Sequence, residues 1–217
     1  MFYHFHPYKP FIFEDTNTLI IGTLPPPRFC EKDFKDGDVD FCYGSKNNQL
    51  WPAIDKIFNL NLLYDNSNKA INQRKSFLKK NYIGICDIVE SCHREKFDAS
   101  DLGMQNVKLR NIIEILENYK NINKIIFTGK NSKNSPEYFF RKQISNTYTM
   151  KLKENEFIRE HTINISNRKI TIFSLTSPSN AANRSIGSSN LYKLRKKQNP
   201  NYSTFLFRID EYKFAFF

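Results

Sequence analysis

Two neighbouring amides, Asn47 and Asn48, separate the aromatic turn Phe41-Cys42-Tyr43-Gly44 from an apolar run that begins at Leu50. An asparagine is no base; its amide can only orient a water or stabilise developing charge through hydrogen bonds. Taken alone the pair reads as turn chemistry, because Gly44, Ser45 and both asparagines suit tight or left-handed backbone. A second polar group lies in "TSPSNAANRS", which presents Ser177, Ser179, Asn180, Asn183 and Arg184 beside main-chain N–H groups able to grip phosphate. A third is cationic: "NLYKLRKKQNPNY" sets Lys193, Arg195, Lys196 and Lys197 between tyrosines, mixing charge with stacking surfaces. Together these residues describe a pocket for a flat polar ligand beside a phosphate chain.

Other chemistries lack their parts. No GxGxxG follows the first apolar run, and neither a GxxxxGK[ST] loop nor a GxSxG elbow occurs, which weakens dinucleotide, P-loop and α/β-hydrolase readings. Cys30, Cys42, Cys86 and Cys92 form no CxxC pair, so free thiols are expected, with no metal and no cofactor. Of the four histidines, His4 and His6 read as surface or packing residues, and His161 has no metal-spaced partner.

The formal net charge is +11 over 217 residues, which points to a polyanionic partner. Richness in Lys, Asn and Ile is also what AT-rich coding produces without selection for binding. With 40% apolar and 25% charged residues, the composition is that of a soluble chain able to bury a core as one domain over 1–217. No apolar run approaches the roughly 18 residues of a membrane span. The start "MFYHFHPYKP" has no secretory pattern, so a cytoplasmic address is the expectation.

The elements that must position these residues alternate. "TLIIG", "YIGICDIV", "KIIFTG" and "KITIFSL" are short apolar runs of the kind found in doubly buried strands. Between and around them lie helix patterns in "QLWPAIDKIF", "KAINQRKSFLKK", "VKLRNIIEILENY" (with Leu109, Ile112, Ile113 and Leu116 on one face), "NSPEYFF" and "STFLFRIDEYKF". Ser135 and Ser203 are expected helix caps. "TINISNRKITIF" reads as a hairpin that gives the last strand an antiparallel neighbour. The fold class that follows is a three-layer α/β/α sandwich around a central, mainly parallel four-stranded sheet, with room for an extra antiparallel edge strand. Sites in such sheets sit in loops after the strands' carboxyl ends. That rule gathers "GTLPPPR", "CDIVESCHRE", "TGKNS" and "TSPSNAANRS" on one rim, and makes His93 the histidine near the site.

Five segments in order, "LIIGTLPPPR", "FCYGSKNNQLWPAI", "IGICDIVESCHRE", "KIIFTGKNS" and "LTSPSNAANRS", resemble the uracil-DNA glycosylase superfamily, nearest to its hypoxanthine-DNA (deoxyinosine) glycosylase-like branch. The resemblance runs from about Thr18 to Arg184. It implies a monofunctional DNA glycosylase, a hydrolase that flips an altered base out of duplex or single-stranded DNA and leaves an abasic site. Hypoxanthine or uracil is favoured, and a bulky modified base of foreign DNA is open. It further implies that Asn48 orients the attacking water. Thr23, Leu24, Phe41, Tyr43 and Asp87 line the base, with Phe41 and Tyr43 as its stacking face. Ser177 and Ser179 grip the backbone around Pro178, where better-known branches carry His-Pro-Ser. The wedge that fills the vacated stack has become Ala181-Ala182-Asn183-Arg184, so Arg184 is its candidate replacement. The expected partner is DNA, no membrane is involved, and the chain is expected to act as a monomer. A binding module without catalysis on the same fold is the alternative.

Overall fold

The computed structural model describes residues 1–153 and 157–217. Nine strands are found among them: β1 (Phe2–Phe5), β2 (Thr18–Gly22), β3 (Ile83–Asp87), β4 (Val89–Arg94), β5 (Gln105–Leu109), β6 (Lys124–Phe127), β7 (Lys151–Lys153), β8 (Arg159–Ile165) and β9 (Arg168–Ser174). The α-helices are α1 (Leu50–Phe58), α2 (Asn68–Lys80), α3 (Ile112–Asn118), α4 (Pro136–Ile144), α5 (Asn183–Ser188), α6 (Asn190–Gln198) and α7 (Thr204–Phe216).

The main sheet has the order β3-β2-β6-β9-β8-β7. Its first four strands are parallel, and they are the four apolar runs of the sequence. Alternation within each strand feeds two cores. Ile20, Ile85 and Ile126 pack with Leu50, Trp51 and Ile54 of α1, Phe77 and Leu78 of α2, and Tyr212 of α7. Leu19, Ile21, Cys86, Ile125 and Phe127 face the opposite way, onto Ile112 and Leu116 of α3 and Phe139 and Phe140 of α4. A sheet buried on both faces between helices is the three-layer α/β/α sandwich expected.

Local chemistry sets the boundaries. Ser67, Ser135 and Ser203 accept hydrogen bonds from the first-turn N–H groups of α2, α4 and α7. Pro52 is tolerated because it lies in the first turn of α1, where its N–H would have had no partner. The β8–β9 hairpin closes on Ser166 and Asn167, both with positive φ (49° and 60°), the backbone of a two-residue primed turn. The antiparallel edge expected as one strand is two, because β7 pairs with β8.

Two sequence expectations fail together. "CDIVESCHRE" is not a rim loop, and "VKLRNIIEILENY" is not one helix. Val89–Arg94 is strand β4, sandwiched between β1 and β5 in a separate antiparallel sheet. Leu109 therefore pairs with Val89 instead of extending the helical stripe. The helix starts only after Asn111, whose side chain caps it on Glu114 N–H. No described helix is long and apolar enough to cross a membrane.

Candidate active site

Parallel register puts the ends of β2 and β3 level, with Gly22 opposite Asp87. β6 and β9 end level as well, Phe127 opposite Ser174. Thr23 follows β2 directly. Thr128 follows β6, and its Oγ1 meets the Tyr43 hydroxyl at 2.9 Å. Tyr43 reaches this place from a left-handed backbone, φ +58°, a conformation costing about 1–2 kcal/mol for a residue with a Cβ. Only a residue without a side chain fits beside it. A Cβ on Gly22 would lie 2.1 Å from the Tyr43 hydroxyl oxygen and 2.3 Å from Asp87 Oδ1. Those two oxygens thus converge on one point at the end of β2. Burial, reinforced by Asp87, pushes the Tyr43 hydroxyl well above its ordinary pKa, and likewise the Cys42 and Cys86 thiols, Cys86 to about 12. These groups stay neutral near pH 7.

His6 completes the cluster, and sequence reasoning missed it. Its ring nitrogen Nε2 lies 2.9 Å from Asp87 Oδ2, whereas His4 is a packing residue held by Arg94 and pushed down to about 4 by burial and that arginine. His93 lies on β4, its ring against Tyr3, and not on a rim loop. The Pro-rich loop after β2 contributes Thr23, whose hydroxyl donates to Asp101 at 3.2 Å, and Leu24, which packs on the α3–α4 side. Burial raises the Asp101 carboxyl to about 7.

Asn48 lies half-buried at the mouth of α1. Its Oδ1 accepts from Leu50 N–H at 2.9 Å, a turn that leads into α1, and its amide Nδ2 is the group left to meet a ligand. The loop that carries it is built by Arg28 and Asp38. Arg28 donates two hydrogen bonds of 2.8 Å to Asp38 and a third to Ser45 Oγ. Burial alone would raise the Asp38 carboxyl, but bonds from Arg28 and from Lys46 and Lys35 N–H hold it below its usual range.

The loop after β9 comes to the same place. Asn48 and Ser179 form an antiparallel bridge, Gln49 N–H donates to Pro178 O (2.9 Å), and Gln49 Nε2 donates to Asn180 Oδ1 (2.7 Å). Beneath them is Arg208, a fully buried cation of α7 that no motif pointed to. It donates to Ser177 O, Ser179 O, Asn183 Oδ1 and Gln49 Oε1. Ser177 and Ser179 hydroxyls in turn accept from Ser179 N–H and Ala181 N–H, a tight turn of the kind that presents main-chain groups outward.

Two expectations change with burial. Phe41 is no open stacking face: it is 5% exposed and packs against Phe11 and Trp51 in the core. Arg195 is not a free cation either, since it donates to Asp210 and Tyr202 and covers Phe157. Lys193, Lys196 and Lys197 on α6 and Arg184 on α5 are exposed.

No family model matches the chain, and no curated protein does. Its fold is similar to the solution NMR structure of a protein from Methanosarcina acetivorans provisionally assigned as a uracil DNA glycosylase. The superposition has a TM-score of 0.53 at 19% identity and covers 94% of this chain and 96% of that one. At that identity the likeness speaks for the fold.

Proposed function

We propose that the whole chain is one domain that acts as a DNA glycosylase, hydrolysing the bond between an altered base and its sugar to leave an abasic site. Hypoxanthine and uracil are the favoured bases, in keeping with the hypoxanthine-DNA glycosylase-like motifs. The observation that carries the reading is the stitch between Asn48–Gln49 and Pro178–Asn180. It joins a segment able to position a water to a segment able to hold phosphate, across about 130 residues of chain. Tyr43, five residues before Asn48, and Asp87 crowd Gly22 at the end of β2, and their oxygens would line a base withdrawn from the stack.

In this reading extrusion costs a few kcal/mol, least for a mismatched base. The base–sugar bond then breaks with its electron pair going to the base while positive charge develops on the sugar. Water adds to the sugar carbon, and its proton ends on solvent or the departing base. Asn48 orients that water through its amide; a preorganised contact of this type is worth about 3–4 kcal/mol. Ser177 and Ser179 with their N–H groups hold the backbone, exposed Lys193, Lys196 and Lys197 supply long-range attraction, and Arg184 fills or braces the vacated stack. The test is alkali-labile strand cleavage of oligonucleotides that each carry one altered base. A second reading, a DNA-binding module without catalysis, draws on one observation: the Asn48 carbonyl oxygen is already engaged by Leu50 N–H. Oligonucleotides that the wild-type chain binds but leaves intact after alkali would favour it.

A further inference from the structure

On the sheet face that α1, α2 and α7 cover, the C-terminal half of α7 leaves a groove of about 830 Å³ against β6 and β9. It lies apart from the candidate active site. Phe214, one of its walls, is six residues beyond Arg208 on α7, about 9 Å along the helix axis. Three aromatic rings meet there edge to face. The Phe214 centroid stands 5.9 Å from that of Phe157 and 6.2 Å from that of Phe173. Phe214 is 46% exposed and Phe217, which also lines the groove, 79%. The result is a concave apolar surface of the size that takes a small ligand.

The cations of the groove differ in their partners. Arg195 covers the Phe157 ring and is paired with Asp210. Lys124, half-buried at the start of β6, donates to Ala215 O at 3.0 Å and lies 5.9 Å from the Phe173 centroid. That contact with the end of α7 uses one of its three donors. Burial lowers the Lys124 pKa, and no carboxylate offsets it. Exposed Lys213 likewise has no carboxylate partner among the described residues. Three cations thus face one carboxylate, an excess of two positive charges. Every lining side chain is Phe, Lys, Arg or Asp, so among the described residues no amide or hydroxyl is there to read a polar ring edge.

We propose that this groove binds a small organic acid with an apolar aromatic ring, the ring on Phe214 and Phe173 and the acid group on Lys124 and Lys213. The inference does not depend on the glycosylase reading. A hydrocarbon ring gains by leaving water and by edge-to-face contact with the phenylalanines. A carboxylate takes the unused Lys124 donors and offsets the cost of holding that ammonium partly out of water. A nucleotide brings the charge together with a polar ring edge that the groove cannot satisfy. A neutral ring leaves Lys124 uncompensated.

The test titrates the full chain by calorimetry with 2-naphthoate, and with 2-naphthamide and adenosine 5′-monophosphate for comparison. Naphthoate should saturate at one site per chain. Naphthamide, of the same shape without the charge, should bind about tenfold more weakly, the worth of a charged hydrogen bond. The nucleotide should also bind more weakly than naphthoate. Phe214→Ala should weaken naphthoate about tenfold, Lys124→Gln about tenfold and Lys213→Gln about threefold. Both lysine variants should narrow the gap between acid and amide. Failure of naphthoate to saturate, or equal affinity for acid and amide, overturns the proposal. Unchanged affinity in Phe214→Ala overturns it too, because the ligand then sits elsewhere. Tighter binding of the nucleotide overturns the apolar ring. If Lys124→Gln does not fold for want of its contact with Ala215, the exposed positions Phe214 and Lys213 still decide. A dimer in sedimentation velocity that Phe214→Ala takes apart would overturn the proposal by assigning the groove to a second copy of the chain.

Discussion

The ends of β3 and β9 lie on one rim and are built in opposite ways. At the end of β3 the polar side chains themselves are buried: His6 meets Asp87, Asp87 and Tyr43 crowd Gly22, and the surrounding core leaves them little freedom. At the end of β9 the buried group is the support. Arg208 holds the carbonyls of Ser177 and Ser179 from beneath, and Ser179 and Asn180 above it remain exposed. The difference suits two tasks. Reading a base needs fixed, desolvated partners, because a hydrogen bond discriminates most where water cannot replace it. Gripping a backbone needs outward N–H groups on a rigid turn, without sequence content. Asn48, five residues after Tyr43, is bridged to Ser179 of the β9 side and accepts from Leu50 N–H.

The largest effect should come from the junction. Asn48→Ala is expected to lower single-turnover excision by about 10²–10³-fold and to cost about 1 kcal/mol in stability through the lost bond to Leu50 N–H. Asn48→Asp keeps an acceptor for Leu50 N–H and loses the amide donors, so its melting temperature should return toward wild type while excision stays low. Recovery of both would make Asn48 a turn residue alone. Next in size is Arg208→Ala, which strips donors from buried carbonyls and should cost about 3 kcal/mol or more by denaturant titration. DNA affinity should fall with it, because the Ser177–Ser179 turn loses its support. A smaller effect belongs to Arg184: replacement by alanine should slow excision from duplex about tenfold more than from single strands, where no hole needs filling. Equal losses would leave it as a phosphate contact. Smallest is the change in salt slope. Neutralising Lys193, Lys196 and Lys197 together should reduce the log–log dependence of binding on salt by up to about 0.9 per lysine. Neutralising Arg195 should add little to that slope, because it already pairs with Asp210.

The comparison also explains what was legible in the sequence. Thr18–Gly22, Ile83–Asp87, Lys124–Phe127 and Arg168–Ser174 announce themselves because strands buried on both faces read as unbroken apolar runs, and Ser135 and Ser203 mark helix starts by local bonds. Val89–Arg94 was hidden because a strand rich in polar residues looks like a loop until its partners, β1 and β5, are known. The same holds at the site. Asn48, Ser177 and Ser179 sit in local motifs, whereas His6 meets Asp87 across 81 residues and Arg208 meets Ser177 across 31. No spacing encodes such pairs; only the closing of the sheet brings them together. Phe41 failed in the other direction, since an aromatic beside a glycine fits a stacking platform as well as a core, and here the core took it.

The most direct measurement incubates the wild-type chain with oligonucleotides bearing uracil or hypoxanthine at one position, then treats them with hot alkali. Strand breakage at that position, dependent on alkali and lowered at least about a hundredfold in Asn48→Ala, is the predicted result. Oligonucleotides that are bound but remain intact after alkali would contradict the account.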